Sequence, residues 1–241
     1  METCPHLASV WGIWQQNIGL DMLISSGYVM CYSAKWLDSP IYYYNSIDDT
    51  SPKRMLKGIW NLLNEADAVV TYNGERFDIP TLNKDFLEHG MPPPSPFRQI
   101  DLYKTVKSRF RFPSNKLEYV CRALGVGQKI KTIGYSLWKG CMAGDKDCWK
   151  MMQEYNINDV KILEEVYYKV LPWIKNHANF GLYQEDKMVC PNCGSNNHQK
   201  RGFAYTLTNK YQRMVCNDCH NWFRATKAEG IPPGKKFVNI Q

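Results

Sequence analysis

The chain has 241 residues, 44% of them hydrophobic and 22% charged, with a formal net charge of +7 at pH 7. That balance excludes a disordered polyelectrolyte and leaves room for one medium-sized core with a small satellite. No apolar run is long enough to cross a membrane, and no charged, apolar, small-residue leader stands at the N-terminus.

The chain opens on Met1-Glu2-Thr3-Cys4-Pro5, which places an acidic residue at its start. β-Branched and aromatic residues predict strands at Tyr28–Trp36 and Ile41–Tyr44, and apolar spacing predicts a helix over Pro52–Glu65. Ala68–Tyr72 reads as a buried strand that runs into Asn73-Gly74, a turn signal. After Glu75-Arg76-Phe77-Asp78, a helical pattern through Leu82, Phe86 and Leu87 begins at Ile79-Pro80 and stops at Gly90. Asp78 therefore stands at a strand-to-helix junction, where a carboxylate either caps the helix or faces a cleft. A proline loop, Met91–Pro96, precedes a short strand at Gln99–Asp101, and Lys116–Leu124 reads as a short helix ended by Gly125.

Gly127–Gly140 reads as a loop holding Lys129, Lys131, Lys139 and Trp138, whose lysines either guide phosphates or are simply solvated. Trp149–Ile174 reads as one amphipathic helix, with Met152, Tyr155, Val160, Leu163, Val166, Val170 and Leu171 near a 3.6 period. Tyr155 and Asp159 are four apart, so phenol and carboxylate project from one helix face. There a carboxylate can hold a divalent cation while the phenol orients a water. Taken alone, such a pair is more often a half-buried Tyr above a solvated Asp. Glu2, Asp78 and Asp159 lie on three separate elements, and their convergence would suit a hard cation that prefers carboxylate oxygens.

These motifs together resemble the DEDD family in its tyrosine form, the 3′–5′ exonucleases of ribonuclease H-like fold. YNGERFDIP at Tyr72–Pro80 resembles the second motif of that family, YNINDV at Tyr155–Val160 the third, and Glu2-Thr3 the end of the first, Asp-x-Glu-Thr. The likeness runs from about Met1 to Trp173 and is nearest to the exonuclease domains of family B DNA polymerases and their stand-alone phage and bacterial relatives. It implies an α/β domain with a mixed sheet flanked by helices. It also implies two Mg²⁺ or Mn²⁺ ions roughly 3.5–4 Å apart. Glu2 and Asp159 would hold the water-bearing ion, Asp78 would serve the second, and Tyr155 would orient the attacking water. The product would be a nucleoside 5′-monophosphate, and Asn73 and Phe77 match positions near the terminal nucleotide. Phe77 reads equally well as core. Asp101 resembles a recurrent acidic position of the relatives, read as structural or as a metal partner.

One position departs from the family. An Asp precedes the first-motif Glu by two residues there, whereas here Met1 holds the middle position of the motif. The expectation is a start placed too far downstream. The competing expectation is a module that binds nucleic acid without cutting it, and an RNA-directed or structure-specific nuclease is a third.

The C-terminal part carries a second signature. Cys190-Pro-Asn-Cys193 and Cys216-Asn-Asp-Cys219 are paired knuckles whose spacing fits four thiolates around one structural Zn²⁺. The segments between them, Phe203–Thr208 and Tyr211–Val215, read as a hairpin, so the expected layout is a zinc ribbon with Trp222 and Phe223 as its small core. His198 and His220 are expected to be spectators. Residues 187–241 hold nine Lys or Arg against Asp218 and Glu229, a net of +7, which leaves residues 1–186 near neutral. The ribbon is thus the expected handle for a polyanion, with Lys210, Arg201 and Arg213 as phosphate contacts beside Lys131. Tyr205, Tyr211 or Trp222 are candidates to stack on bases.

The expected division is 1–175 for the exonuclease domain, 176–186 for a linker, 187–227 for the ribbon and 228–241 for a loose tail. Cys4, Cys31, Cys121, Cys141 and Cys148 show no pairing pattern, which fits a reducing cytoplasm, bacterial or of a phage-infected host. The expected partner is single-stranded or 3′-ended DNA in replication or repair, with no membrane. With no polymerase segment in the chain, proofreading would act in trans on a replication partner.

Overall fold

The computed structural model describes residues 1–12, 14, 17–183 and 188–229. Lys187, Lys235 and Lys236, and nearly all of the tail 228–241, lie outside the described residues. The chain divides into two compact units, Met1–Val166 and Tyr167–Gln241.

In the first unit, β1 (Glu2–Thr3) pairs antiparallel with β4 (Val29–Lys35). Between them the chain makes a hairpin, β2 (Leu7–Ala8) with β3 (Leu23–Ser25), which the sequence reading did not anticipate. Its excursion leaves Trp11, Trp14 and Leu20 largely in solvent. β4 pairs antiparallel with β5 (Tyr42–Ser46). Four successive residues of β4, Val29 to Tyr32, are buried, the mark of a strand covered on both faces.

Helix α1 (Pro52–Glu65) spans the sequence expectation residue for residue. Proline is preorganised for a first helical position, and Met55, Leu56, Ile59 and Leu63 form the buried stripe. β6 (Ala68–Thr71) and β7 (Arg98–Asp101) pair in parallel, with α2 (Asp78–Glu88) on the crossover. Then come α3 (Leu102–Arg109), α4 (Leu117–Leu124), α5 (Tyr135–Met142) and α6 (Lys146–Val170). α4 stops because Gly125 adopts the left-handed conformation at φ 63.

The layers follow from two core clusters. Val29 and Tyr32 pack with α1 and α2 through Met55, Leu56, Leu82 and Phe86. Met30 and Cys31 pack with α5 and α6 through Leu137, Cys141, Trp149 and Met152. Antiparallel and parallel strand pairs between helical layers make the mixed α/β architecture expected from the sequence. No ladder joins β1 to β6 among the described residues.

Three expectations for this unit need correction. Gly127–Gly140 is not one loop: Leu137 and Cys141 anchor α5 in the core, so the chain is helical from Tyr135. The long helix begins at Lys146 and ends at Val170, where Pro172 diverts the chain into a 3₁₀ turn, Leu171–Trp173. Phe77 is not core, since half of its surface is exposed.

The second unit holds a three-stranded antiparallel sheet: β8 (His198–Tyr205), β9 (Lys210–Cys216) and β10 (Trp222–Arg224). Among the described residues from 188 to 229, the buried apolar side chains are Cys190, Met214 and Cys216. Trp222 is therefore not the core residue the sequence suggested: it stands 55% exposed, because its register opposite Val215 turns it to the face away from Met214. In the expected linker, residues 176–183 are packed. The Tyr167 hydroxyl meets His177 Nε2 at 2.7 Å, the His177 ring stacks on Phe180, and Phe180 N donates to the Pro191 carbonyl.

Candidate active site

The site is assembled by β4. The Ser33 hydroxyl donates to the Asn156 carbonyl at 2.6 Å and the Lys35 ammonium pairs with Glu164, which fixes α6 along this strand. That contact sets the rotation of the helix, so the face that Tyr155 and Asp159 share by their spacing is turned toward Lys129. One group proves it: Lys129 Nζ lies 2.7 Å from Asp159 Oδ2 and 3.2 Å from the Tyr155 hydroxyl. Trp138 on α5 meets the Tyr155 ring edge-on at 6.3 Å.

β1 places Glu2 opposite Cys31 of β4. Burial pushes the Glu2 carboxyl above its ordinary pKa, and the nearby Asp159 and Asp78 add to the rise against the opposing N-terminal and Lys129 ammonium groups. Asp78 is the first residue of α2, but Phe77 at the cap position makes no side-chain cap bond. The Asp78 carboxylate instead lies 3.5 Å from the Met1 ammonium. Burial opposes that ammonium, yet Asp78 and Glu2 together raise its pKa. Glu2, Asp78, Asp159, Tyr155 and Lys129 thus form one electrostatic cluster.

Asn73 is held by a buried acid. Asp101 Oδ1 accepts from Asn73 N at 2.7 Å and from Tyr103 N at 3.0 Å, so it caps α3 and pins the motif loop together. Asn73 takes φ 64, a left-handed conformation that Asn tolerates. These bonds give Asp101 the structural role among its two sequence readings. A cleft of about 610 Å³ opens here, lined by Asn73, Arg76, Tyr103, Lys116 and Lys129. Lys131 is exposed and joins none of these contacts. Lys129, read from the sequence as a loop lysine that either guides phosphates or is solvated, contacts both Asp159 and Tyr155. No local pattern marks it, because its partners lie 26 and 30 residues further along the chain.

A divalent cation fits this chemistry. Asp159 Oδ1 is buried with no hydrogen-bond partner among the described residues, although a carboxylate oxygen in that position normally has one. The donors are hard carboxylate oxygens, as Mg²⁺ or Mn²⁺ requires. Burial, then Asp159, raises the Tyr155 phenol, so it stays protonated at neutral pH.

In the second unit the Sγ atoms of Cys190, Cys193, Cys216 and Cys219 all lie within 4.8 Å of one another. Cys190–Cys219 and Cys193–Cys216 stand at 3.6 Å. Tetrahedral Zn–S bonds of about 2.3 Å set S–S edges of about 3.8 Å, so the cage has the size for zinc. His198 packs edge-on against Phe223 and is outside the cage, as is His220.

Antiparallel and parallel strand pairs between helical layers, with carboxylates gathered from a first strand, a strand-to-helix junction and a late helix, make an α/β domain with a candidate cation site. The family model RNase_H_2, described as RNase_H superfamily, matches residues 19–171. The chain belongs to the RNase_H superfamily, whose members are in general nucleases that use divalent metals. The match spans Asp78, Tyr155 and Asp159, and stops before the cysteine cage. A search of the curated proteins finds no match. Among the described residues no helix is long and apolar enough to cross a membrane.

Proposed function

We propose that this chain is a metal-dependent 3′–5′ exonuclease that releases nucleoside 5′-monophosphates, with DNA as its substrate and the zinc ribbon aiding substrate binding. The observation that carries the reading is the shared face of Tyr155 and Asp159 on α6, with Asp159 Oδ1 buried and unpartnered beside Glu2 and Asp78. Glu2, Asp78 and Asp159 would hold the two ions, which supply an activated water and charge neutralisation at the leaving oxygen.

The protein's own groups do the rest. The Tyr155 hydroxyl, kept protonated by its burial, orients the attacking water. The Lys129 ammonium holds that hydroxyl and offers positive charge where negative charge develops on the phosphate. Asn73 and the half-exposed Phe77 seat the terminal nucleotide, with Arg76 and Lys116 along the wall of the cleft that Asn73 lines. The domain division that serves this reading is 1–175 and 187–227. The free cysteines of the first unit suit a reducing cytoplasm.

A non-cleaving binder is the second reading, favoured by one observation: an ammonium already neutralises Asp159. One assay decides between the two. With Mg²⁺, a 5′-labelled single strand should shorten stepwise, and a 3′-phosphorothioate link should stall it. Tyr155→Phe should slow cleavage ten- to a thousand-fold, and Asp78→Asn should abolish it. Undiminished cleavage by Asp78→Asn would remove this carboxylate from the site, and no cleavage by the wild type leaves the binder.

A further inference from the structure

The outer face of the ribbon sheet carries a stack whose chemistry goes beyond a general positive charge. Phe223 and Met214 are cross-strand partners, and Met214 is buried, so they define the inner face. By alternation, Trp222, Arg224, Arg213 and Tyr211 project from the other face. The Arg213 guanidinium sits 5.1 Å from the Trp222 ring centroid, and the Arg224 guanidinium 3.8 Å from that of Tyr211. The order across this face is aromatic, guanidinium, guanidinium, aromatic.

Two features of the stack call for a ligand. Arg213 and Arg224 are directly opposed in the register, and like charges so placed destabilise a strand pair. Among the described residues neither is ion-paired to a carboxylate; Arg213 Nε donates to the Arg201 carbonyl and Arg224 Nη1 to the Ala225 carbonyl. A phosphate between them would turn that repulsion into two charge-assisted contacts. Next to each guanidinium lies an aromatic ring, and Trp222 is more than half exposed. The side chains of Met214 and Phe223 support the sheet from behind, so the outer face is a platform and not a core.

We propose that this face binds single-stranded nucleic acid, with backbone phosphate between Arg213 and Arg224 and unpaired bases on Trp222 and Tyr211. It rests on the reading of the ribbon as a substrate handle and adds strand selectivity to it. Stacking needs a base face, which a duplex interior hides and a single strand offers. From the register of Trp222 to Tyr211 is four residues of β9, about 14 Å.

The test uses the full chain with zinc bound and measures anisotropy of a labelled dT12 strand and of a 12-base-pair duplex across a salt series. The wild type should bind dT12 the more tightly. Trp222→Ala should weaken dT12 binding about tenfold without changing the salt slope, and Trp222→Phe should restore most of it. Arg213→Gln with Arg224→Gln should flatten the slope by about 0.7, the share of one phosphate. Zinc content measured in each variant shows that the ribbon is folded.

If Trp222→Ala is silent and the duplex binds equally well, while Lys200→Gln with Arg201→Gln still weakens binding, the ribbon is a handle and the stack is not its site. If all ribbon variants leave both affinities unchanged, the handle reading fails as well. Binding of a labelled polyglutamate peptide that Trp222→Ala weakens, with no binding of dT12, would make it a protein-docking surface and overturn the proposal.

Discussion

Replacing Asp159 by Asn keeps the side-chain volume, yet the structure predicts that it destabilises the metal-free protein. Lys129 Nζ sits 2.7 Å from Asp159 Oδ2, and these side chains retain 27% and 22% of their exposure. The variant leaves a largely buried ammonium facing an amide. Exposed ion pairs contribute at most about 1 kcal/mol, whereas breaking a fully buried pair costs about 3–5 kcal/mol. A pair with a quarter of its surface exposed falls between, at about 1.5–2 kcal/mol for either single loss. For a chain of this size that is a fall in Tm of about 3–8 °C.

The assay is a double-mutant cycle in EDTA: wild type, Asp159→Asn, Lys129→Met and the double variant, each unfolded by urea. Because each single variant strands the other partner, the double should recover part of the loss, with a coupling of about 1.5 kcal/mol. Adding Mn²⁺ should then stabilise Lys129→Met most and Asp159→Asn least, since the cation and the ammonium compete for one carboxylate. Losses that add within about 0.5 kcal/mol would mean that the pair does not form, and the account of the site as an ammonium-neutralised carboxylate cluster would fall with it.

Two further outcomes follow from buried acids. Asp101→Ala strips the acceptor from the Asn73 and Tyr103 amides and should cost about 2 kcal/mol in urea unfolding, with faster hydrogen exchange at Asn73; unchanged exchange would show that another group pins this loop. Glu2 has a folded pKa above its ordinary value, so the folded state holds its proton longer. Its contribution is full below the unfolded pKa near 4.5 and is lost as pH rises through the folded pKa. In EDTA, Glu2→Gln should remove that decline, and urea midpoints measured from pH 4 to 8 that fall in parallel for both proteins would contradict it.

How much of this was legible depended on whether a residue's partners lay nearby in the sequence. α1 was readable to its ends because proline, apolar spacing and the following strand all act locally. The face shared by Tyr155 and Asp159 was readable because helical periodicity alone determines it. α3 was not, since its start depends on the Asp101 side chain and its sequence, LYKTVKSR, buries few apolar groups. α5 was hidden by Lys139 and Gly140 within its eight residues, and packing of Leu137 and Cys141 against β4 and α6 stabilises it. Trp222 misled for the opposite reason. Composition makes a tryptophan in a small domain look like core, and only the register with Val215 turns it outward.

The two units separate tasks that conflict within one. A cluster of carboxylates suited to holding cations repels a phosphate chain, and the first unit adds little charge to offset this, being near neutral as a whole. Its nearest cations, Lys129 and the Met1 ammonium, are engaged with Asp159 and Asp78 and are not available to attract substrate from solution. On the proposed reading, attraction comes from cations whose engagement does not disturb the site: Arg76 and Lys116 along the cleft, and Arg213 and Arg224 on a sheet beside four cysteines and not carboxylates. Changes on that sheet should act on KM and on its salt dependence, whereas changes at Asp159, Tyr155 or Lys129 should act on kcat. A residue that moved both would have to touch substrate at the reacting phosphate, and in the first unit the residues placed for that are Asn73 and Arg76 along the cleft.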